Sequence, residues 1–386
     1  MQSDSAAGPQ NERRLVALDG LRGLMTLLVI VSHYFGELPH GLTATMFGWV
    51  AVDMFFVLSG FLIGKLILEK QHHANFFSVF YVRRFCRIIP AYVVTVLVLT
   101  LLVRTIAHPW VDADVVFPLW SYLTFNQGFF MIASQTIGAH WLAPTWTLGV
   151  EEHFYLIVPA FIVFTPRRWL APVLVTAIML TLTLRFAIYF GGVGNGMMAL
   201  VLLPGRADTL AFGVLAALAM KDDRIDWARL MPILRVIPIA GLIAAGGMRL
   251  YGEQLFGLLA PFTVSAGCAA FLLCIVNGAP EAQRFHSRKL QFVGNNGYCL
   301  YLTHLPVLGL MHGLILGTRP DLATPAQWLV TIATLPVCLL VGWGMTRLIE
   351  EPLTRYGRTW RWSKESRAPV QSLRWPGSGW RSQSSM

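Results

Sequence analysis

The sequence predicts an all-α, polytopic integral membrane protein of about ten transmembrane helices, with both termini cytoplasmic. Three observations predict it. Charged residues make up 13% of the chain, about half their share in a soluble domain. Hydrophobic residues make up 55%, and mean hydropathy is +0.58. Apolar segments of about 20 residues, enough to cross a bilayer, recur with Lys and Arg gathered in alternate connections.

Residues 1–14 are polar and expected to be a disordered cytoplasmic N-terminus. Arg13 and Arg14 precede the first apolar run, but no small-x-small site closes it, so a retained first span is expected rather than a cleaved signal. The expected span cores are 17–35, 49–68, 88–107, 146–165, 169–190, 204–220, 232–250, 255–277, 293–316 and 326–349. With the N-terminus inside, the inner connections hold Arg83, Arg84 and Arg87, then Arg167 and Arg168, then Lys221, Arg224 and Arg229, then Arg284, Arg288 and Lys289. The outer side keeps Arg104, Arg206, Arg249 and Arg319, all near segment ends. The connection 108–145 is half apolar and aromatic, and reads as an interfacial or re-entrant segment. Residues 356–386 mix Ser, Arg, Trp and Pro without period, and are expected to form a disordered, basic cytoplasmic tail.

The composition excludes other classes. The net charge of +10 lies in short clusters between apolar segments, where headgroups are met, so no nucleic-acid partner is expected. Five cysteines, Cys86, Cys268, Cys274, Cys299 and Cys338, contain no CxxC and argue against a disulfide framework or a zinc site. No metal is expected. No internal repeat of the inverted-transporter kind is visible.

Ionisable groups inside spans cost some 2.5–3.5 kcal/mol each, so they face a cavity or a partner. In "ALDGLRGLMTLLVIVSHYF", Arg22 and His33 are eleven residues apart and fall on nearly one helical face, roughly 16 Å apart along the axis. Asp19 and Thr26 lie on the same face, making one polar stripe. A plain interfacial pairing of Asp19 with Arg22 is the competing reading. In "AVDMFFVLSGFLIGKLI", Asp53 sits at the outer end, level with His33, where a carboxylate can fix an imidazole's tautomer. The alternative is an Asp favoured by the helix N-terminus. Gly60 and Gly64 below it form a small-xxx-small surface for close helix approach.

Arg83, Arg84 and Arg87 in "RRFCRIIPAY" suit phosphate groups through bidentate, charge-assisted bonds, with positive-inside anchoring as the rival explanation. Glu151 and Glu152 in "PTWTLGVEEHFYL" are adjacent, so at least one is expected to meet a polar cavity, and Glu151 shares a face with Tyr155. Arg185, Arg206 and Asp208 are further candidates, the last two for a polar acceptor near the outer face. His304 in "YCLYLTHLPVL" stands in its span ahead of Pro306, whose ring implies a kink.

Together these motifs resemble one family. "LDGLRGLMTLLVIVSHYF", "VDMFFVLSGFLIG", "RRFCRIIPAY", "PTWTLGVEEHFYL", "GRADTLAFGVLAAL" and "YCLYLTHLPVL" resemble, in order, landmarks of the membrane acyltransferase-3 family across roughly 15–355. Ala51, Thr147 and Thr303 depart from its usual residues, but no ionisable site residue is lost. The esterase-like extracytoplasmic domain of some members is expected to be lacking.

The resemblance implies a multi-pass protein of the cell membrane, most simply a bacterial inner membrane, whose domain at 15–355 moves an acyl group. That group, expected to be acetyl, would pass from cytosolic acyl-coenzyme A to a hydroxyl of a glycan or other small acceptor. It carries over Arg22 with His33, Arg84 with Arg87, and Glu151; with the reading of the spans added, His33, Asp53 and Glu151 are expected to be catalytic, and Arg22, Arg83, Arg84 and Arg87 to hold the donor. Asp19, Glu152, Arg206, Asp208 and His304 are expected near the acceptor. His33 would act as a general base or briefly carry the acyl group, oriented by Asp53 or Glu151. A transporter or flippase for a polar lipid or sugar, or an acyl-coenzyme A sensor, would use the same intramembrane charges.

Overall fold

The computed structural model describes residues 9–106, 108–111 and 115–365. The expectations for 1–8 and 366–386 lie outside the described residues. The described chain is helical, with no strand. Helix α1 (Pro9–Val31) runs into a π-helical turn at Ser32–Gly36. Next come α2 (Gly48–Lys70) and α3 (Phe76–Thr105). Two short helices, α4 (Leu119–Leu123) and α5 (Gln127–Ser134), precede α6 (Thr145–Phe164) and α7 (Arg167–Tyr189). A short α8 (Gly196–Val201) leads into α9 (Leu203–Ala219), then α10 (Trp227–Tyr251) and α11 (Glu253–Val276). Last are α12 (Arg288–Asn295), α13 (Gly297–Leu316) and α14 (Pro325–Met345), which passes through a π-helical turn at Thr346–Glu350 into α15 (Glu351–Thr359). Ten helical stretches among the described residues are long and apolar enough to cross a membrane.

The ends follow from local chemistry. Pro144 and Pro166 lack an N–H and sit immediately before α6 and α7. Asp226 caps α10 by accepting from the amides of Ala228 and Arg229. Thr324 and Gln327 form a reciprocal capping box at α14. Gly317, with φ of 65°, closes α13 in the left-handed region.

Two close contacts set the frame. A Cβ on Gly60 would overlap the Leu210 carbonyl, and one on Gly213 the Val57 carbonyl, so α2 and α9 touch backbone to backbone. The small surface expected on α2 therefore has its partner in α9. Helices α1 and α12 meet in the same way, with Gly294 against the Asp19 carbonyl and Gly23 against Leu290. Gly297 then lies beside Thr26, and His304 beside His33, so the α12–α13 pair runs parallel to α1. By contrast α10 packs on α11 and leaves Ile233, Val236, Ile239 and Ile243 exposed, the surface of a lipid-facing helix.

Two boundaries differ from expectation, and the connection between them is packed into the bundle. Helix α3 begins at Phe76, so the Arg cluster lies within its first turns rather than ahead of it. The connection 108–145 contributes Trp110, Phe117, Tyr122, Met131 and Trp141 to a buried cluster shared with α3 and α13. It is a packed cap over the end of the bundle where His33 lies. The tail begins as structure: α15 continues to Thr359, and Ser363 donates its amide to Asn75 Oδ1 at 2.8 Å.

Candidate active site

A cavity of about 150 Å³ lies between α1, α2, α3, α6 and the α12–α13 junction. Arg22, Arg84 and Arg87 line it, with Ser59, Glu151, Tyr155 and Tyr301. The near-coincidence of positions 22 and 26 on α1 is as the stripe requires, since Thr26 also lines the cavity. Arg22 pairs with Asp19 at 3.1 Å, which fixes the guanidinium at the stripe's start. Asp19 thus holds Arg22. Arg84 lies over the Tyr155 ring, 5.1 Å from its centroid.

Glu151 is the acid that the cavity receives. Ser59 donates to its Oε1 at 2.6 Å and Tyr155 to its Oε2 at 3.0 Å. Both carboxylate oxygens are therefore engaged, and hydroxyls from α2 and from α6 itself fix one side chain. Glu152 takes neither hydroxyl, and its buried Oε1 has no hydrogen-bond partner.

One turn beyond Tyr301 the two histidines meet. His33 Nδ1 is 3.1 Å from His304 Nε2, with the rings stacked at 5.0 Å. His304 Nδ1 lies 2.7 Å from the Tyr301 carbonyl. A carbonyl only accepts, so Nδ1 of His304 carries the proton. Neutral His304 then accepts at Nε2 from His33 Nδ1–H. The remaining nitrogen, His33 Nε2, keeps a lone pair and lies 3.5 Å from Glu37 Oε2. Ser32 donates to the other oxygen of Glu37 at 3.0 Å. Tyr34 donates to the His304 carbonyl at 2.8 Å, which ties α1 to α13 at this level.

The carboxylate assigned to orient His33 is a correction. Asp53 pairs with Arg206, and Glu151 with Ser59 and Tyr155, so the groups on His33 are His304 and Glu37. Helical spacing does not say which neighbour the face of Asp53 meets, and that neighbour is α9. Asp208 is also corrected. It is fully buried, and both oxygens accept from Arg185 at 2.7 and 2.8 Å, so it is closed to an acceptor. Arg185 donates twice more to the Gly205 carbonyl. Arg83 does not line the cavity: it donates to the Trp360 carbonyl at 2.7 and 3.0 Å and lies over the Trp362 ring.

Sequence reasoning missed Glu37, Ser59 and Tyr301. Glu37 stands four residues after His33, a spacing that signals a shared helical face. Ser59 and Tyr301 carry no such mark, because their partners come from other helices.

A family model described as an acyltransferase domain matches residues 15–344. The chain is 27% identical over 375 residues to the peptidoglycan O-acetyltransferase OatA of Listeria monocytogenes, covering 88% of this chain and 56% of that protein. It is 26% identical over 374 residues to the putative peptidoglycan O-acetyltransferase YrhL of Bacillus subtilis, covering 90% and 56%. Against the O-acetyltransferase OatA of Staphylococcus aureus it is 27% identical over 321 residues, covering 77% and 51%. The chain spans about half the length of these curated relatives. No solved structure matches it.

Proposed function

This chain belongs to the acyltransferase-3 family, and on that premise we propose that it moves an acetyl group from acetyl-coenzyme A to a hydroxyl of a glycan. The relatives' names, which specify O-acetyl transfer and in two cases peptidoglycan, support the group and the class of acceptor. The observation that carries the reading is one cavity that joins Arg22, Arg84 and Arg87 to Tyr301, whose carbonyl holds His304 against His33.

Three guanidiniums around one cavity suit a polyanionic donor, because each can make charge-assisted, forked bonds to phosphate oxygens. With the Arg-rich connections cytoplasmic, that donor arrives from the cytosol and both termini face inward. The pantetheine arm of coenzyme A, of the order of 15–20 Å, matches the roughly 16 Å from Arg22 to His33. The thioester then reaches the level of the histidine pair.

His33 Nε2 takes the proton of the acceptor hydroxyl while the oxygen attacks the thioester carbon, and the thiolate leaves and is protonated. In the two-step variant, Nε2 attacks first and carries the acetyl group to the acceptor. In both, His304 keeps the His33 ring in one tautomer and Glu37 faces the cation that forms. Glu151 holds the cavity wall through Ser59 and Tyr155 and balances part of the arginine charge.

The test uses the full chain in lipid nanodiscs with acetyl-labelled coenzyme A. Loss of thioester by the native protein, abolished by His33→Ala with the protein still inserted, is expected. Native-like turnover by His33→Ala overturns the mechanism. Passage of an unmodified sugar across vesicles without thioester loss would instead identify a transporter.

A further inference from the structure

The two buried Arg–Asp pairs near the outer ends of the helices are not equivalent. Arg185 and Asp208 form a closed fork in which both carboxylate oxygens accept from the guanidinium. Arg206 and Asp53 form half a fork. Arg206 Nη2 donates to Asp53 Oδ1, while Asp53 Oδ2 and Arg206 Nε are buried without a hydrogen-bond partner. Side-chain exposure is 1% for Asp53 and 6% for Arg206. A buried donor and acceptor left unsatisfied are each costly, so an arrangement that keeps both calls for a ligand.

This pair lines a second cavity of about 340 Å³, between α2, α6, α7, α8, α9 and α11. Its walls include Trp49, Trp146, Tyr189 and Phe256. Trp49 packs edge-on against Phe256. The cavity opens among the starts of α2, α6, α9 and α11 and the end of α7, which helix alternation puts at the same end of the bundle as His33. Val52 lines both this cavity and the arginine-lined one, so the two share a wall.

We propose that this second cavity is the acceptor chamber and that it takes a pyranose ring. The proposal rests on the acyltransferase reading. A pyranose presents an apolar C–H face suited to aromatic walls and hydroxyls at its rim. One hydroxyl completes the half fork: it donates to Asp53 Oδ2 and accepts from Arg206 Nε–H. Arg185 also lines this cavity, but its fork with Asp208 is already closed and its remaining bonds go to the Gly205 carbonyl.

The experiment uses the full chain in nanodiscs free of sugar detergent, with chitobiose and chitotetraose as probes. Tryptophan fluorescence reports sugar binding, and thioester loss from acetyl-coenzyme A reports the donor side. Saturable quenching by the oligosaccharides is expected, weakened about tenfold or more in Asp53→Asn, where the group facing the hydroxyl loses its charge. A milder variant, Trp49→Ala, guards against misfolding and is expected to weaken the same binding several-fold. Neither variant is expected to change affinity for coenzyme A by more than about twofold. No saturable quenching in the native protein, or native-like sugar affinity in both variants, overturns the chamber. Donor turnover without sugar binding overturns the chamber alone. Sugar binding without donor turnover overturns the acyltransfer reading and leaves the cavity a sugar site with no acceptor role.

Discussion

His33 Nδ1 and His304 Nε2 stand 3.1 Å apart, although 271 residues separate them in sequence. The Tyr301 carbonyl fixes the proton on the far nitrogen of His304, and this in turn leaves the lone pair of His33 on Nε2. His304 is therefore a positioning residue for a base. His33→Ala is expected to lower kcat by about 10²–10⁴-fold. His304→Ala should cost less, with KM for the donor unchanged, and the double variant should be no slower than His33→Ala. Steady-state kinetics on the three variants checks this, and multiplicative losses would contradict it.

Glu37 faces His33 Nε2 at 3.5 Å but is partly exposed, so its effect is modest. Glu37→Gln is expected to lower kcat about twofold to fivefold. Donor KM should stay constant, and added salt should shrink the difference between variant and native protein.

Arg84 and Arg87 line the donor cavity, whereas Arg83 grips the C-terminal segment. Arg84→Ala and Arg87→Ala should each weaken coenzyme A binding by about 10–100-fold. Arg83→Ala should leave that affinity within about twofold. It should instead speed hydrogen exchange at the Ala74 and Ser363 amides, which bond across to Glu365 and Asn75. Calorimetry with coenzyme A and exchange measurements on the same samples separate the two roles.

Asp208 is structural. Asp208→Asn breaks a fully desolvated ion pair, a loss expected at about 3–5 kcal/mol. Lower thermal stability in detergent and reduced yield are the readouts. Arg185→Met with Asp208→Leu should recover part of the loss, because no lone charge then remains buried. A stable but inactive Asp208→Asn would restore a direct role in binding.

The α2–α9 contact has no room for a methyl group at Gly60, where it would meet the Leu210 carbonyl. Gly60→Ala is expected to cost about 1–3 kcal/mol by forcing the helices apart. Gly246→Ala on α10, with open space around the added carbon, should be neutral. Unfolding of the two variants in the same detergent makes the comparison.

The sequence placed much of this on the right helices. Hydropathy and length give the spans, because crossing a bilayer needs about 20 apolar residues in any fold. Arg22, Arg84, Arg87 and Glu151 were legible as charges that a lipid-facing helix cannot carry, and they line one cavity with Thr26 of the same polar stripe. Arg83 was not separable from Arg84, since adjacent residues share a cluster in sequence but point about 100° apart on a helix. Asp53 meets Arg206 rather than His33.

What the sequence by itself determined is periodicity and depth: which residues share a helical face and how far into the span each lies. Both come from local backbone geometry, which every helix obeys. Which face meets which neighbour was decided only by the tertiary structure. The crossing of α2 with α9 sends Asp53 to Arg206, and the parallel course of α1 and α13 delivers His304 to His33. Those pairings depend on where glycines let backbones touch, a long-range packing choice that no single helix encodes.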